Sequence, residues 1–562
     1  DDPKARWYVY DPLLPDADEN GVPDIEEWGD AVDLGADWQE VPDSLDPNNE
    51  NPNNDYNPDL GDLPDLLGNR VFWTVYNDGT PISLRTPRLQ TDPIGIEVQQ
   101  HTWAFARGDE LGNVIFFRYK FVNPTDNFID DLVFTIWTDP DLGDHEDDLI
   151  GSDTTLSLGY IYNDADDLQY GANPPAFGID FFQGPVVESP GDTALLFRGP
   201  HFGVDTLLDH RNLPMTSFMY YINGDPTIGD PNNASIARNY QLGGLDADGV
   251  PIDPTQWGIG GTLETDPRFF YSGDPVTGEG WLDDTPADKR FMVNTGPFNL
   301  PPWEDTNGNG REDIGEPGVQ FIVAAYVVGQ GSDALGSVTK LKSVDVIAQR
   351  AYNANFVVAG PPPPPVVQTR TSDQKIELII DLEEQGTYDY VKTDKLFNEQ
   401  RFEGLRIYQF RSNATSEEVG GLDNIRRIAS FDIDNKYGDI FVRQGDGGWA
   451  KVLDSEDNLD TTSFDNGAAI LKYEITEDAF TGGPLINGTE YYFSVTSFSV
   501  NHGVRDVVDP ATGDTIEVPF IERDDGPISI TGNPNNWLAS SSGDLLENSL
   551  SSNFITEPTT ER

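Results

Sequence analysis

Two stretches of the chain place oxygen donors at alternate positions around a turn. Asp16-Ala-Asp18-Glu-Asn20-Gly21-Val22-Pro-Asp24-Ile-Glu26-Glu27 fits the twelve-residue pattern D-x-[DN]-x-[DN]-G-x5-E, and Asp305-Thr-Asn307-Gly-Asn309-Gly310-Arg311-Glu312-Asp313-Ile-Gly-Glu316 repeats it. Such spacing suits Ca2+, which takes roughly six to eight oxygens at about 2.3–2.6 Å, whereas Mg2+ demands tighter octahedral geometry. In each loop the seventh position, Val22 or Arg311, offers its backbone carbonyl. Asp24 and Asp313 fill the ninth position, directly or through water, and Glu27 and Glu316 the two-oxygen twelfth. A third run holds Asp139, Asp141, Asp144, Asp147, Asp148 and Asp153. Carboxylates this dense repel one another unless neutralised, so they are read as a further calcium cluster, with a solvated acidic loop as the alternative.

Neither twelve-residue loop sits between two amphipathic helices. Both resemble the isolated calcium loops of dockerin-like and thrombospondin type 3-like extracellular repeats, and that resemblance implies structural rather than signalling calcium. Catalytic patterns are not evident. The five histidines (His101, His145, His201, His210 and His502) form no H-E-x-x-H pair, and neither a G-x-S-x-G elbow nor a P-loop is present. Glycoside hydrolysis needs two carboxylates in a cleft, and 98 acidic residues single out no pair. The chain is therefore read as a non-enzyme.

The 562 residues include 34 Lys+Arg against 98 Asp+Glu, and 34 − 98 gives a net charge of −64. That excludes nucleic acid as a main partner and argues against anionic membrane surfaces. No apolar run approaches a membrane span, so direct membrane insertion is not expected. Without Cys there are no disulfides or thiolate metal sites. The sequence opens at Asp1 with no signal-like apolar segment, as an exported chain would after removal of its signal peptide.

Runs of β-branched and aromatic residues bounded by Asn, Asp, Gly and Pro predict strands at Arg70–Tyr76, Val114–Val122, Leu132–Thr138 and Gln320–Val328. Short helices are expected at Ile25–Asp30 and Ser343–Asn353. The fold class is mainly β, a multidomain β-sandwich architecture with long Asp/Gly/Pro-rich loops and little helix. Five parts are expected: an acidic Asn/Pro-rich arm with a calcium loop over 1–66, a large β domain over 67–358, and a polyproline linker over 359–366. A β-sandwich over 367–532 and a Ser/Asn-rich tail over 533–562 follow. Trp73 and Trp137 are expected to pack in strands, and Trp537 in the tail to dock on another surface.

Leu485-Ile-Asn487-Gly488-Thr489-Glu-Tyr491-Tyr-Phe493-Ser-Val495 resembles the turn and penultimate strand of a fibronectin type III domain, with Tyr491 at the tyrosine-corner position. Phe402–Arg411 is similar to its central strand and Ile425–Ile433 to the partner, while Tyr437–Asn466 reads as an inserted hairpin. The resemblance implies a spacer or adhesion module. Thr91-Asp-Pro-Ile-Gly-Ile-Glu-Val, Trp137-Thr-Asp-Pro-Asp-Leu-Gly-Asp, Asp153-Thr-Thr-Leu-Ser-Leu-Gly-Tyr and Phe181-Phe-Gln-Gly-Pro look like segments of large secreted surface proteins of Bacteroidota-like bacteria, which implies export. These readings converge on a calcium-stabilised extracellular or cell-surface structural protein. It would self-assemble into a filament, sheath or surface layer, its terminal arms docking on neighbouring copies. The alternative is a secreted carbohydrate-binding or carbohydrate-degrading protein, with glycans as partners, or a monomeric adhesin.

Overall fold

A computed structural model describes residues 4–12, 14–39, 56–84, 89, 91–106, 110–356, 362–394, 398–411, 425–433, 440–443, 449–453, 461–464, 470–501, 504–508, 515–519, 537–539, 545–547 and 554–558. The chain is mainly β. It divides into two compact units, Asp1–Phe105 with Asn113–Phe356 and Ala106–Gly112 with Val357–Arg562.

The first unit is built on an eight-stranded sheet. Its order runs β1 (Tyr8–Tyr10), β4 (Arg70–Asn77), β5 (Glu97–Ala104), β6 (Val114–Val122), β15 (Val319–Gly329), β10 (Ala176–Gln183), β9 (Leu158–Asn163) and β8 (Asp148–Asp153). Strand β6 shows why both faces are covered, because alternate side chains leave opposite sides of a pleated strand. Phe117, Tyr119 and Phe121 enter a core shared with a three-stranded sheet, β13 (Ser217–Tyr221), β14 (Arg290–Leu300) and β7 (Ile129–Thr138). Phe116, Arg118 and Lys120 face the other way and are also buried. A two-stranded ribbon, β11 (Val186–Phe197) with β12 (Val204–Asn212), flanks this body.

Helix α3 (Ala334–Asn353) covers part of that second face. Asp333 caps it, accepting from Gly336 N–H at 2.7 Å. The helix starts nine residues before the expected Ser343, because Gly336, Thr339 and Lys340 dilute the apolar spacing of its first turns. Val338, Leu341, Val344, Ile347 and Ala348 form its buried stripe. Helix α2 (Ala234–Leu242) lies against β13 and β14.

The described part of residues 1–66 is not a separate arm. β1 is the edge strand of the chain's own sheet, paired with β4. Helix α1 (Asp24–Val32) lays Trp28 and Ala31 against Val71 and Trp73, and β2 (Trp38–Gln39) pairs with β3 (Leu63–Pro64). Tyr8, Trp28 and Trp38 supply apolar surface that the Asn/Pro-rich average conceals. Much of the Asn/Pro run itself lies outside the described residues. Trp73 is buried as expected, but Trp137 is half exposed, its Nε1–H donating to Tyr221 Oη at 2.5 Å.

In the second unit β16 (Val366–Ser372), β17 (Lys375–Asp381) and β24 (Ile470–Ile475) form one sheet. The other runs β23 (Thr461–Phe464), β20 (Ile425–Ile433), β19 (Asn398–Phe410), β27 (Glu490–Asn501) and β31 (Leu545–Glu547), with β18 (Val391–Asp394) on β19 and β32 (Phe554–Pro558) on β27. Ile376, Leu378, Leu405, Ile407, Phe493 and Val495 lie in the core between them. The expected insertion contains a hairpin, β21 (Ile440–Arg443) with β22 (Trp449–Leu453). Two smaller hairpins are β25 (Glu477–Asp478) with β26 (Gly483–Pro484) and β28 (Val504–Val508) with β29 (Thr515–Pro519).

Residues 533–562 are not merely a tail. They contribute β31, β32 and β30 (Trp537–Ala539), the last pairing with β21 of the same chain. Phe554-Ile-Thr-Glu-Pro alternates like a strand, a short signal lost in Ser/Asn-rich surroundings, and Ile555 packs on the core. Among the described residues no helix is long and apolar enough to cross a membrane.

Trp28→Ala should cost the first unit about 3–5 kcal/mol in chemical denaturation, the usual range for a fully buried tryptophan. No loss would mean that this segment does not belong to its own chain's core.

Candidate metal centre

The first twelve-residue loop runs directly into α1, whose first turn carries Asp24, Glu26 and Glu27, acidic charges favoured at a helix N-terminus. Gly21 takes φ 92°, a left-handed turn that few other residues adopt. Asp16 accepts from the N–H groups of Asn20 (3.1 Å) and Gly21 (2.9 Å), and buried Asp24 from Ala17 N–H at 3.1 and 3.2 Å. These bonds draw the ligand oxygens of Asp16, Asp18 and Asp24 to within 4.8 Å of one another. Glu27 stands beside them, accepting from Asn20 Nδ2 at 2.9 Å and pairing with Arg6, which reaches Asp18 at 3.8 Å. Among the described residues, Asp16 and Asp24 meet backbone donors only. Burial raises the Asp24 pKa, and Asp18 and Asp16 raise it further. A cation here would relieve that repulsion.

The second loop keeps the sequence pattern but closes on itself. Asp305 accepts from Gly308 N–H (2.6 Å) and Gly310 N–H (2.8 Å), while Asp313 Oδ2 takes the side-chain amides of Asn307 and Asn309, each at 2.7 Å. Glu316 is turned to Thr306 N–H (2.7 Å), Thr306 Oγ1 (2.9 Å) and Trp303 Nε1 (3.0 Å). Against burial, these donors hold its carboxyl below the usual glutamate range. Asp305, Asp313 and Glu316 therefore do not gather as the acids of the first loop do.

The third acidic run is divided among several partners. Asp139 and Asp141 meet Asp288, with Arg290 bridging at 3.1 Å to Asp139 and 3.4 Å to Asp288. Asp144 N–H donates to Asp167 at 2.7 Å, Asp147 takes Asn163 Nδ2 at 2.5 Å, and Asp153 pairs with Lys342 at 3.0 Å. Asp148 is buried in β8, where desolvation pushes it up to about 8. Asp148 and Asp153 close opposite ends of β8, roughly 17 Å apart along a strand, so the six cannot converge.

A further constellation has no counterpart in the loop motifs. Ligand atoms of Asp37, Asp65 and His101 lie within 4.8 Å, but a guanidinium occupies their centre. Arg118 Nη2 stands 3.2 Å from Asp37, 3.1 Å from Asp65 and 3.4 Å from His101 Nδ1. Lys120 Nζ donates to Gly35 O and Glu312 O, both at 3.3 Å. Arg311 of the second loop reaches Asp37 at 3.4 Å and covers the Trp38 ring at 3.9 Å. Burial favours neutral Asp37, yet Lys120 and Arg118 hold its pKa well below the carboxylate range; for Asp65 burial wins and raises it to about 6. This is an ionic knot fastening the N-terminal segment to the sheet. Its sequence signal was the pair Arg118 and Lys120 on one face of an otherwise apolar strand.

A groove of about 720 Å³ opens beside the ribbon, β14 and Ile314–Gly318 at the exit of the second loop. Phe298, Leu300 and Phe321 line it, together with Phe128, Asp131 and His210. No protein-family model matches the chain, and neither a curated protein nor a solved structure matches it.

Arg118→Met removes the shared partner of buried Asp65 and half-buried Asp37 and should cost about 3–5 kcal/mol in denaturant unfolding. A loss below about 1 kcal/mol would show that the knot adds nothing to the fold.

Proposed function

We propose that the protein is a calcium-braced structural protein of the cell exterior that assembles with copies of itself. The observation that carries this reading is the first loop: three carboxylates converge there at the base of α1, and the basic side chain beside them, Arg6, pairs with Glu27 and reaches Asp18 only at 3.8 Å. The other two acidic groups are each spanned by an arginine, Arg118 or Arg290. Bound Ca2+ would tie residues 16–27 together at the point where β1 leads into α1, with Asp16, Asp18, Asn20, Val22, Asp24 and Glu27 as its donors. The second loop can take a cation once Glu316 leaves Trp303 and the Asn307 and Asn309 amides turn their oxygens inward.

The second unit reads as a fibronectin type III-like spacer. Two features support this: β16-β17-β24 in one sheet with β20-β19-β27-β32 in the other, and a Tyr491 hydroxyl accepting from Ile486 N–H at 2.9 Å. Assembly would use surfaces other than the folded N-terminal segment. The ribbon offers Leu195, Val204 and Leu208, 43%, 41% and 71% exposed, the kind of apolar surface that subunit contacts bury. A second reading, binding of a glycan or other small ligand, rests on the groove, whose size is that of ordinary ligand sites. Glycan-array binding without polymer formation would favour it.

Asp16→Asn and Glu27→Gln should each lower the thermal midpoint in calcium and leave it nearly unchanged in chelator. At free calcium 100 times Kd the difference should approach about 2.7 kcal/mol. Equal losses in both conditions would assign these side chains to packing alone. Electron micrographs of the native material should show ordered polymers that loosen when calcium is chelated; dispersed single particles in calcium would reject the assembly reading.

A further inference from the structure

Asp180 on β10 and Asp345 on α3 meet inside the first unit, 0% and 1% exposed. Gly178, Asp180 and Phe182 occupy the face of β10 turned to the helix, since Gly178 sits against Leu341 and Phe182 stacks on Tyr352. Asp345 comes down from α3 between buried Val344 and Ile347. The two carboxyl groups lie within hydrogen-bonding reach of each other. Among the described residues no other donor meets any of their four oxygens with hydrogen-bond geometry; the nearby Phe181 N–H favours the ionised form of Asp180.

The surrounding charges offer no relief. Lys342 on the helix is committed to Asp153 of β8 at 3.0 Å and to Asp274 at 3.6 Å. It also lies over the ring of Tyr160 on β9, with Tyr162 behind. On β15 the residue in register with Asp180 is Ala325. Lys340 and Arg350 stand five positions either side of Asp345, which turns them about 140° away on a helix. Two bare carboxylates cannot remain in contact under these conditions. A cation would need roughly six oxygens, and the pair supplies four at most. One proton between the two satisfies both groups.

We propose that Asp180 and Asp345 share a single proton, which clasps α3 to the sheet and makes this fastening sensitive to alkali. In the unfolded chain both acids titrate near their ordinary value, about 3.9. In the fold, burial raises both; Asp345 raises Asp180 further, while the hydrogen bond with Asp180 favours ionised Asp345, whose pKa still reaches about 8. The folded state therefore holds the extra proton between about pH 4 and about pH 8. The clasp contributes fully below the lower value and weakens as pH rises toward the upper one, about tenfold in the opening equilibrium per pH unit.

Hydrogen exchange over residues 334–353 of the full chain tests this, comparing the wild type with the Asp180→Asn/Asp345→Asn double variant at each pH so that intrinsic rates cancel. An Asn–Asn pair hydrogen-bonds without a titrating proton. From about pH 6 to about pH 8, opening of α3 should rise at least tenfold more in the wild type than in the variant. Parallel profiles would overturn the proposal. Infrared spectra decide the matter should the double variant not fold. In Asp148→Asn, which removes another carboxyl held at about 8, a protonated-carboxyl band should be present at about pH 7 and weaken as pH rises past about 8. No band at neutral pH, or α3 exchange that responds to chelator and not to pH, overturns the shared proton.

Discussion

A chain with 98 acids and 34 basic residues cannot bury a carboxylate without settling how its charge is neutralised. Desolvating an unpaired carboxylate costs several kcal/mol, comparable to the whole stability of a domain. The first unit buries Asp24, Asp65, Asp148, Asp180, Asp283 and Asp345 among others, so this constraint shapes its architecture. Three solutions are visible. A basic side chain pairs with the acid where one is at hand, as Lys289 does with Asp283 at 2.7 Å and Arg118 with Asp65. Backbone N–H groups converge on it in turns, as those of Asp144, Gln169 and Tyr170 do on buried Asp167. Where neither is present the charge must be met by a cation or cancelled by a proton.

The pairing solution determines how the N-terminal segment joins the body of the molecule. Asp37 follows α1, and its two oxygens are shared between Arg118 of the central sheet and Arg311 of the second loop. Helix, sheet and loop thus meet at one carboxylate. Apolar packing of Trp28 and Trp73 supplies most of the favourable burial, while the ionic knot specifies which segment may sit there. A displaced segment would leave Arg118 buried without an acid, an arrangement more costly than the correct one is favourable.

Strand positions were legible because the chain alternates cleanly where one face is buried. Val114–Val122 matches its predicted bounds, Arg70–Tyr76 differs by one residue at one end, and Gln320–Val328 by one residue at each end. The loop motif was equally legible, since its spacing is a property of twelve consecutive residues. Whether its oxygens converge was not. The two loops share one pattern, yet in the second Trp303 and Thr306, both outside the pattern's oxygen-donor positions, hold Glu316. Asp139, Asp141, Asp144, Asp147, Asp148 and Asp153 looked like one cluster because proximity in sequence was taken for proximity in space, and a six-residue strand separates the last two.

Local order therefore determined the mainly β class, the strand bounds and the turn chemistry of the acidic loops, because each depends on neighbours a few residues away. Tertiary structure alone decided which carboxylates meet. Asp37 finds Arg118 across 81 positions, Asp288 joins Asp139 across 149, and Asp180 faces Asp345 across 165. Electrostatic interaction falls off with distance through space and takes no account of distance along the chain. The neutralising partner of a buried acid can therefore be read only once the strands that carry the two have been brought side by side.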